Sequence, residues 1–323
     1  MAAGDGQESP GSGIYQGSLS DRILPLFAKL PGEVSLKIDL PSFRSFPPVA
    51  VEQDPARHMF VGSAIKTFVL CESLRQAEAD NSNVVQTISQ RQLALDESVW
   101  SADSATFNPP NLTGLVSERT TLEAMIMHSD NTATDMALKQ AGPDKVREFI
   151  QWAGLNSTRI PDSTRSFFGY LLGATDYQTF TWAQLQAELH NPIVNPPLNA
   201  VWSMKSSAYD MVGYYSWALQ GHFFQHPETL NEFRRILSLG DAIWLVPLPL
   251  GVSAFVKGGS IDVPGFHALC VPGGMLVGER WAYFCFTINW TAPSETDPET
   301  VAAFATAVSG ALAMVKDVLA PTG

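Results

Sequence analysis

The hexapeptide Val61-Gly62-Ser63-Ala64-Ile65-Lys66 sets a serine and a lysine three residues apart at the head of an apolar run. Residues three apart share one face of a helix, so the hydroxyl and the amine point the same way. Ile65, Phe68, Val69 and Leu70 surround the pair with hydrocarbon. Removal from water disfavours the ammonium form and lowers a lysine's pKa. A neutral amine can then take the proton of a neighbouring serine and make its oxygen a nucleophile. With 28 serines and 8 lysines in 323 residues, the tetrad also arises by accident, so its chemistry needs partners elsewhere in the chain.

Two other segments qualify. Ser129-Asp130-Asn131 interrupts a helical pattern with three polar residues that favour turns and helix caps, and alone it reads as an ordinary N-cap. Lys257-Gly258-Gly259-Ser260 ends a strand-like run with two glycines, which alone reads as a strand exit or a bulge. The three segments in this order reinforce one another.

The elements around them follow from periodicity. Residues 19–30 read as a short helix with Ser20 or Asp21 near its N-cap, and residues 33–40 alternate like a strand. A helix opened by Ser63 runs to about Asn81. Residues 118–142 and 142–155 carry helical periodicity, the second with a glycine stop. From about Ser166 to Lys205 the chain is aromatic and interrupted by proline, which suits either a self-packed subdomain or a lid. A helix resumes over 206–221. Three strand-like runs follow, at 252–259, 266–272 and 279–289, and a long amphipathic helix closes the chain. Strands at both ends with helices between imply an α/β (α+β) fold: an antiparallel sheet of N- and C-terminal segments, flanked by helices and enclosing a helical lobe. The expected division is a flexible tail to residue 18, then one domain, with a sheet lobe at about 19–60 and 206–323 and a helical lobe at about 61–205. Ser63 falls where the first hands over to the second, and a cleft between lobes is a common place for a site.

Together the three segments resemble the active-site motifs of the class A β-lactamases and penicillin-binding proteins. The resemblance extends from about Glu33 to the C-terminus and includes residues 121–160, which look like that family's helical core. It implies Ser63 as nucleophile and Lys66 as the base that activates it. Ser129 would relay the proton to the leaving group, aided by Lys257, whose charge also keeps Lys66 deprotonated. Asn131 would hold a substrate amide carbonyl. The backbone N–H groups of Ser63 and Ser260 would form the oxyanion hole, and Gly258 and Gly259 would let substrate lie close against the strand.

The sequence departs from that pattern in three places. Class A enzymes carry a glutamate after the helical core that primes the deacylating water. Its position here falls near Thr164 or Arg165, and Asp162 is the only carboxylate nearby. Gly258 replaces the usual threonine or serine. Phe266 and His267 stand where an arginine would be, leaving Arg280 to provide that charge. The resemblance thus implies a serine hydrolase forming an acyl-enzyme on Ser63 with an ester or amide, lacking the usual deacylation glutamate. The alternatives are a true β-lactamase or D-alanyl-D-alanine carboxypeptidase, and a β-lactam-binding protein that stays acylated.

Composition narrows the partners. The net charge of −12 argues against nucleic acid and anionic membranes as partners, and the resemblance implies a small-molecule substrate. No run approaches the apolar length of a membrane span. The first residues carry neither a basic nor an apolar leader region, which fits a cytoplasmic protein, or a periplasmic or secreted one whose signal peptide has been removed. Cys71, Cys270 and Cys285 read as buried free thiols, and His222 and His226 as a solvated loop rather than metal ligands, so no cofactor or metal is expected. The oligomeric state is left open.

Overall fold

The two ends of the chain build one antiparallel sheet in the computed structural model, which describes residues 18–320; most of the expected flexible tail lies outside the described residues. The chain opens with α1 (Leu19–Phe27), β1 (Glu33–Leu40) and β2 (Val49–Gln53). The N-cap of α1 is Ser18, and Asp21, expected near it, stands at the third helical position and closes a reciprocal capping box with Ser18. A short β3 (Met59–Phe60) leads into a 3₁₀ turn (Gly62–Ile65) and then α2 (Lys66–Asp80). The expected helix therefore starts as a tighter turn holding Ser63, and its α-helical part begins at Lys66.

The middle of the chain is mainly helical: α3 (Val84–Gln90), α4 (Glu118–Met127), α5 (Asn131–Ala141), α6 (Pro143–Trp152), α7 (Thr164–Leu171) and α8 (Trp182–Glu188). It also holds a two-stranded ribbon of β4 (Gln92–Leu95) and β5 (Gly114–Ser117), and β6 (Lys205–Ser206), which pairs β3. Next come α9 (Ala208–Ala218), α10 (Pro227–Leu237) and the single turn α11 (Ala242–Leu245). Helix α10 packs against α2, α3 and α4, so the helical lobe draws on chain beyond residue 205. Glu78, near the end of α2, accepts hydrogen bonds from Gln225 N, His226 N and Thr229 Oγ1 at the start of α10. His226, expected in a solvated loop, is the N-cap residue of α10, with no capping bond from its own side chain.

The last segment supplies β7 (Ser253–Val256), β8 (Gly259–Val263), β9 (Phe266–Val277), β10 (Arg280–Trp290) and α12 (Pro298–Leu319). The sheet runs β2-β1-β10-β9-β7, with β8 also on β9. Alternation along the strands explains the layers. Leu36 and Ile38 of β1, Phe284 and Phe286 of β10 and Val271 of β9 face a core closed by α1 and α12. Cys270, Tyr283 and Cys285 face the opposite core, shared with the helical lobe.

An 18-residue window of helix α12 reaches a mean hydropathy of 1.5, which by length and composition alone would match a membrane span. Its apolar stripe has another use here. Phe304, Val308, Leu312 and Val315 are fully buried in the core over the sheet. The aromatic stretch after Ser166 packs on itself, with Phe180 and Leu185 forming a small core together with Ala102.

Candidate active site

β7 and β8 form one edge strand with a gap. Val256 faces Gly273 and Gly259 faces Cys270, so three residues advance on each side and the register is kept across the gap. The interruption lies at Lys257 and Gly258, opposite Val271 and Pro272. Proline has no N–H to give to a ladder, and the freed segment turns Lys257 into the interior, where it is fully buried.

Gly259 is required by close approach. A Cβ there would lie 1.9 Å from Val61 O, 2.6 Å from Ala64 N and 2.8 Å from Ser63 N. Gly62, at φ +51, faces the same contact from the other side, where a Cβ would meet Ser260 O at 2.8 Å and Ser260 N at 3.0 Å. The start of β8 is thus pressed against the turn that carries Ser63, bringing the amides of Ser63 and Ser260 to one spot. Asn289 of β10 holds that turn from behind: its Oδ1 accepts from Phe60 N at 2.9 Å and its Nδ2 donates to Phe60 O at 3.1 Å.

Ser129 sits between the helices α4 and α5 with φ +54, a left-handed conformation uncommon for a residue with a side chain. The segment is also the cap that the sequence suggested. Asp130 accepts from Ala133 N at 2.8 Å and, through its other oxygen, from Thr106 N and Phe107 N. Held this way, Ser129 Oγ lies 3.2 Å from Lys66 Nζ and 3.1 Å from Lys257 Nζ. Lys66 also donates to the carbonyl of Ser129 and, at 2.8 Å, to Asn131 Oδ1. Asn131 donates an amide proton to Ala102 O at 3.0 Å.

Both lysines are fully buried. Burial and, after it, the nearby Lys257 cation lower the pKa of Lys66 to about 7, against the opposing pull of Asp241, Asp130 and Asp135. Burial also lowers Lys257, opposed by Asp241. That last residue was not anticipated. Asp241 stands at the N-cap of α11 and holds Lys257 Nζ with both carboxylate oxygens, at 2.9 and 2.8 Å. Gly240 lets the chain pass, since a Cβ there would lie 1.9 Å from Val256 O. No local pattern in the sequence marks Asp241, because its partner is brought to it by the edge strand.

All eight residues singled out from the sequence meet around one site. The surrounding carboxylates follow another plan. Asp162 pairs with Arg147 at 2.7 Å on the side of α6. Arg165 turns its guanidinium to the carbonyls of Glu97, Ser98 and Trp100. Thr164 is buried, and beneath it lies Asp135, one turn along α5 from Asn131. Asp135 accepts from Thr164 N at 2.6 Å, Thr164 Oγ1 at 2.8 Å and Arg165 N at 3.1 Å. Burial raises its pKa to about 6 against those bonds. Arg280 corrects another expectation. It donates to the carbonyls of Val318 and Leu319 at the end of α12 and stacks on Phe46, so its charge serves the sheet's other face. His267 stacks on Trp290 and pairs through Nδ1 with Asp262 at 2.9 Å.

Among known proteins, the family described as the β-lactamase enzyme family matches residues 18–212. The TLA-3 extended-spectrum β-lactamase superposes with a TM-score of 0.71 at 14% identity, covering 94% of this chain and 98% of that one. A class A β-lactamase from Bacteroides cellulosilyticus gives 0.68 at 16% identity, with 93% and 97% covered. PBP-A gives 0.65 at 16% identity, with 93% and 95% covered. A PBP-A variant is known as its acyl-enzyme complex with penicillin G. No curated protein sequence matches the chain.

Proposed function

Because the chain belongs to the β-lactamase enzyme family, we propose that it is a serine hydrolase that opens an ester or amide through an acyl-enzyme on Ser63 and turns over β-lactams slowly. The observation that carries this reading is Lys66, a buried amine with its pKa lowered to about 7 and set beside the hydroxyl of Ser129. Neutral Lys66 takes the proton from Ser63 as Oγ bonds to the substrate carbonyl carbon. The oxyanion formed accepts from the amides of Ser63 and Ser260; a donor of this kind is worth about 3–4 kcal/mol in the transition state. As the bond to the leaving atom breaks, that atom takes the proton of Ser129, and Ser129 is reprotonated from the Lys66 ammonium. The acyl-enzyme is left with a neutral amine beside it. That amine is free to activate water and release the acid.

One observation favours a second reading, an acylated protein that does not turn over. Positions 164 and 165 hold no carboxylate, and Asp162 is held by Arg147. Loss of a general base typically costs 10²–10⁴-fold in rate. A penicilloyl group, which keeps its opened ring attached, then blocks water, whereas a departing alcohol leaves room for it. Mixing the protein with a penicillin and, separately, with a nitrophenyl ester, and following both product and intact mass, tests these readings. Product beyond one equivalent per protein, lost in Ser63→Ala with an unchanged melting curve, supports the hydrolase. A burst of one equivalent with a lasting mass adduct supports the binder. Turnover by Ser63→Ala near the wild-type rate would sink both.

A further inference from the structure

An ammonium has three protons to donate, and Lys257 Nζ already faces four acceptors: Asp241 Oδ1 and Oδ2, Gly258 O at 2.8 Å and Ser129 Oγ at 3.1 Å. No donor is left for a group on the substrate. The lysine's charge is also matched within the protein, by a carboxylate whose side chain is 28% exposed. The space beside it is taken too. A Cβ on Gly258 would meet Ala242 Cβ at 3.0 Å and Asp241 Oδ1 at 3.4 Å, so the start of α11 sits where a hydroxyl-bearing side chain would extend. Arg280 adds no second cation, since it is engaged with the end of α12.

We propose that Asp241 determines leaving-group specificity: the site selects acyl donors whose leaving group is neutral or bears an amine where it faces Lys257, and rejects those carrying a carboxylate there. The inference rests on the acyl-enzyme reading, in which Ser129 protonates the leaving group and therefore places it beside Lys257. A carboxylate arriving there finds Lys257 saturated and meets Asp241 as a like charge. A neutral group meets neither penalty, and an amine finds the exposed edge of Asp241.

Penicillin G and its methyl ester differ only in that carboxylate, and the rates at which each adds its mass to the protein test the proposal. Each rate is divided by the same compound's rate of hydrolysis in hydroxide, which removes intrinsic reactivity. The wild-type protein should favour the methyl ester by about tenfold or more, and Asp241→Asn should move the ratio towards the free acid by a similar factor. A merely structural disturbance of Lys257 would slow both compounds together and leave the ratio where it was. Asp241→Ser repeats the test if the asparagine variant does not fold. A wild-type preference for the free acid overturns the proposal, as does a ratio that neither substitution moves. If neither penicillin adds mass while the nitrophenyl ester does, selection by this carboxylate is refuted and the acyl-enzyme reading stands. Silence from all three compounds overturns both.

Discussion

In the proposed reaction Lys66 must lose its proton to act as a base, and what lowers its pKa is mostly lost water, helped by a second cation. Acylation should therefore rise with pH through about 7 and level off above it, measured as the pH dependence of the first-turnover rate. Lys66→Arg should abolish that limb, because a guanidinium keeps its proton. Lys257→Met should move the midpoint to higher pH, since it removes the like charge and leaves Asp241 unopposed nearby. The same residue links pH to stability. The folded pKa of about 7 lies below the ordinary 10.5, so between those values the unfolded chain holds the extra proton and stability rises with pH. Below that window the fold has to bury an ammonium. Lys66→Met should accordingly stabilise the protein more, or destabilise it less, at about pH 6 than at about pH 10, read from urea midpoints.

At the scale of elements, the pairing of α5 with α7 decides what the deacylation region tolerates. Asp135 receives both amides at the start of α7, so Asp135→Ala should cost about 2–3 kcal/mol by leaving buried donors unpaired. Denaturant titration measures it. Placing a carboxylate at Thr164 is the obvious way to restore a water-activating base, yet Thr164 Oγ1 is 2.8 Å from Asp135. Thr164→Glu alone should therefore fold poorly from like charges in a dry place. Combined with Asp135→Asn it should fold better than the two separate effects add up to, and shorten the life of the penicilloyl adduct by intact mass. This conflict was not legible in the sequence. Asp135 lies four residues after Asn131 on the same helix face, but only the packing of α7 puts Thr164 over it. The three candidate segments were legible because each owes its form to local chemistry: a serine and lysine on one helix face, a cap, and two glycines that permit close approach. β1 was bounded to the residue by its alternation. β8 was missed because the two glycines that open it mark a strand exit as readily as a strand entry.

Across the whole molecule, the proposed nucleophile Ser63 depends on chain that is very distant in sequence. Phe60, just before the turn bearing Ser63, is held by Asn289 near the end of the last strand. Asn289→Ala should cost about 2 kcal/mol and slow acylation, because the lost bonds fix the turn's position as well as its stability. Calorimetry and the first-turnover rate check the two parts, and a loss of stability with normal acylation would show that the turn holds its place without Asn289. The two cores also share the sheet between them, with β9 and β10 contributing to both. Unfolding of the intact protein should therefore be a single transition, coincident by near-ultraviolet and far-ultraviolet circular dichroism.

The pairing of β1 with β10 has a consequence during synthesis. A ribosome adding about 5–20 residues per second needs on the order of 10–50 s to make the chain between Leu40 and Arg280. Throughout that interval β1 has been made and its principal neighbour has not, so an apolar strand edge waits in the open for a chaperone or for an unwanted partner. The nascent protein can hold its helical segments early, but the turn with Ser63 acquires its anchor only with the final strand. If the proposed chemistry at Ser63 needs that anchor, it waits until the chain is almost complete.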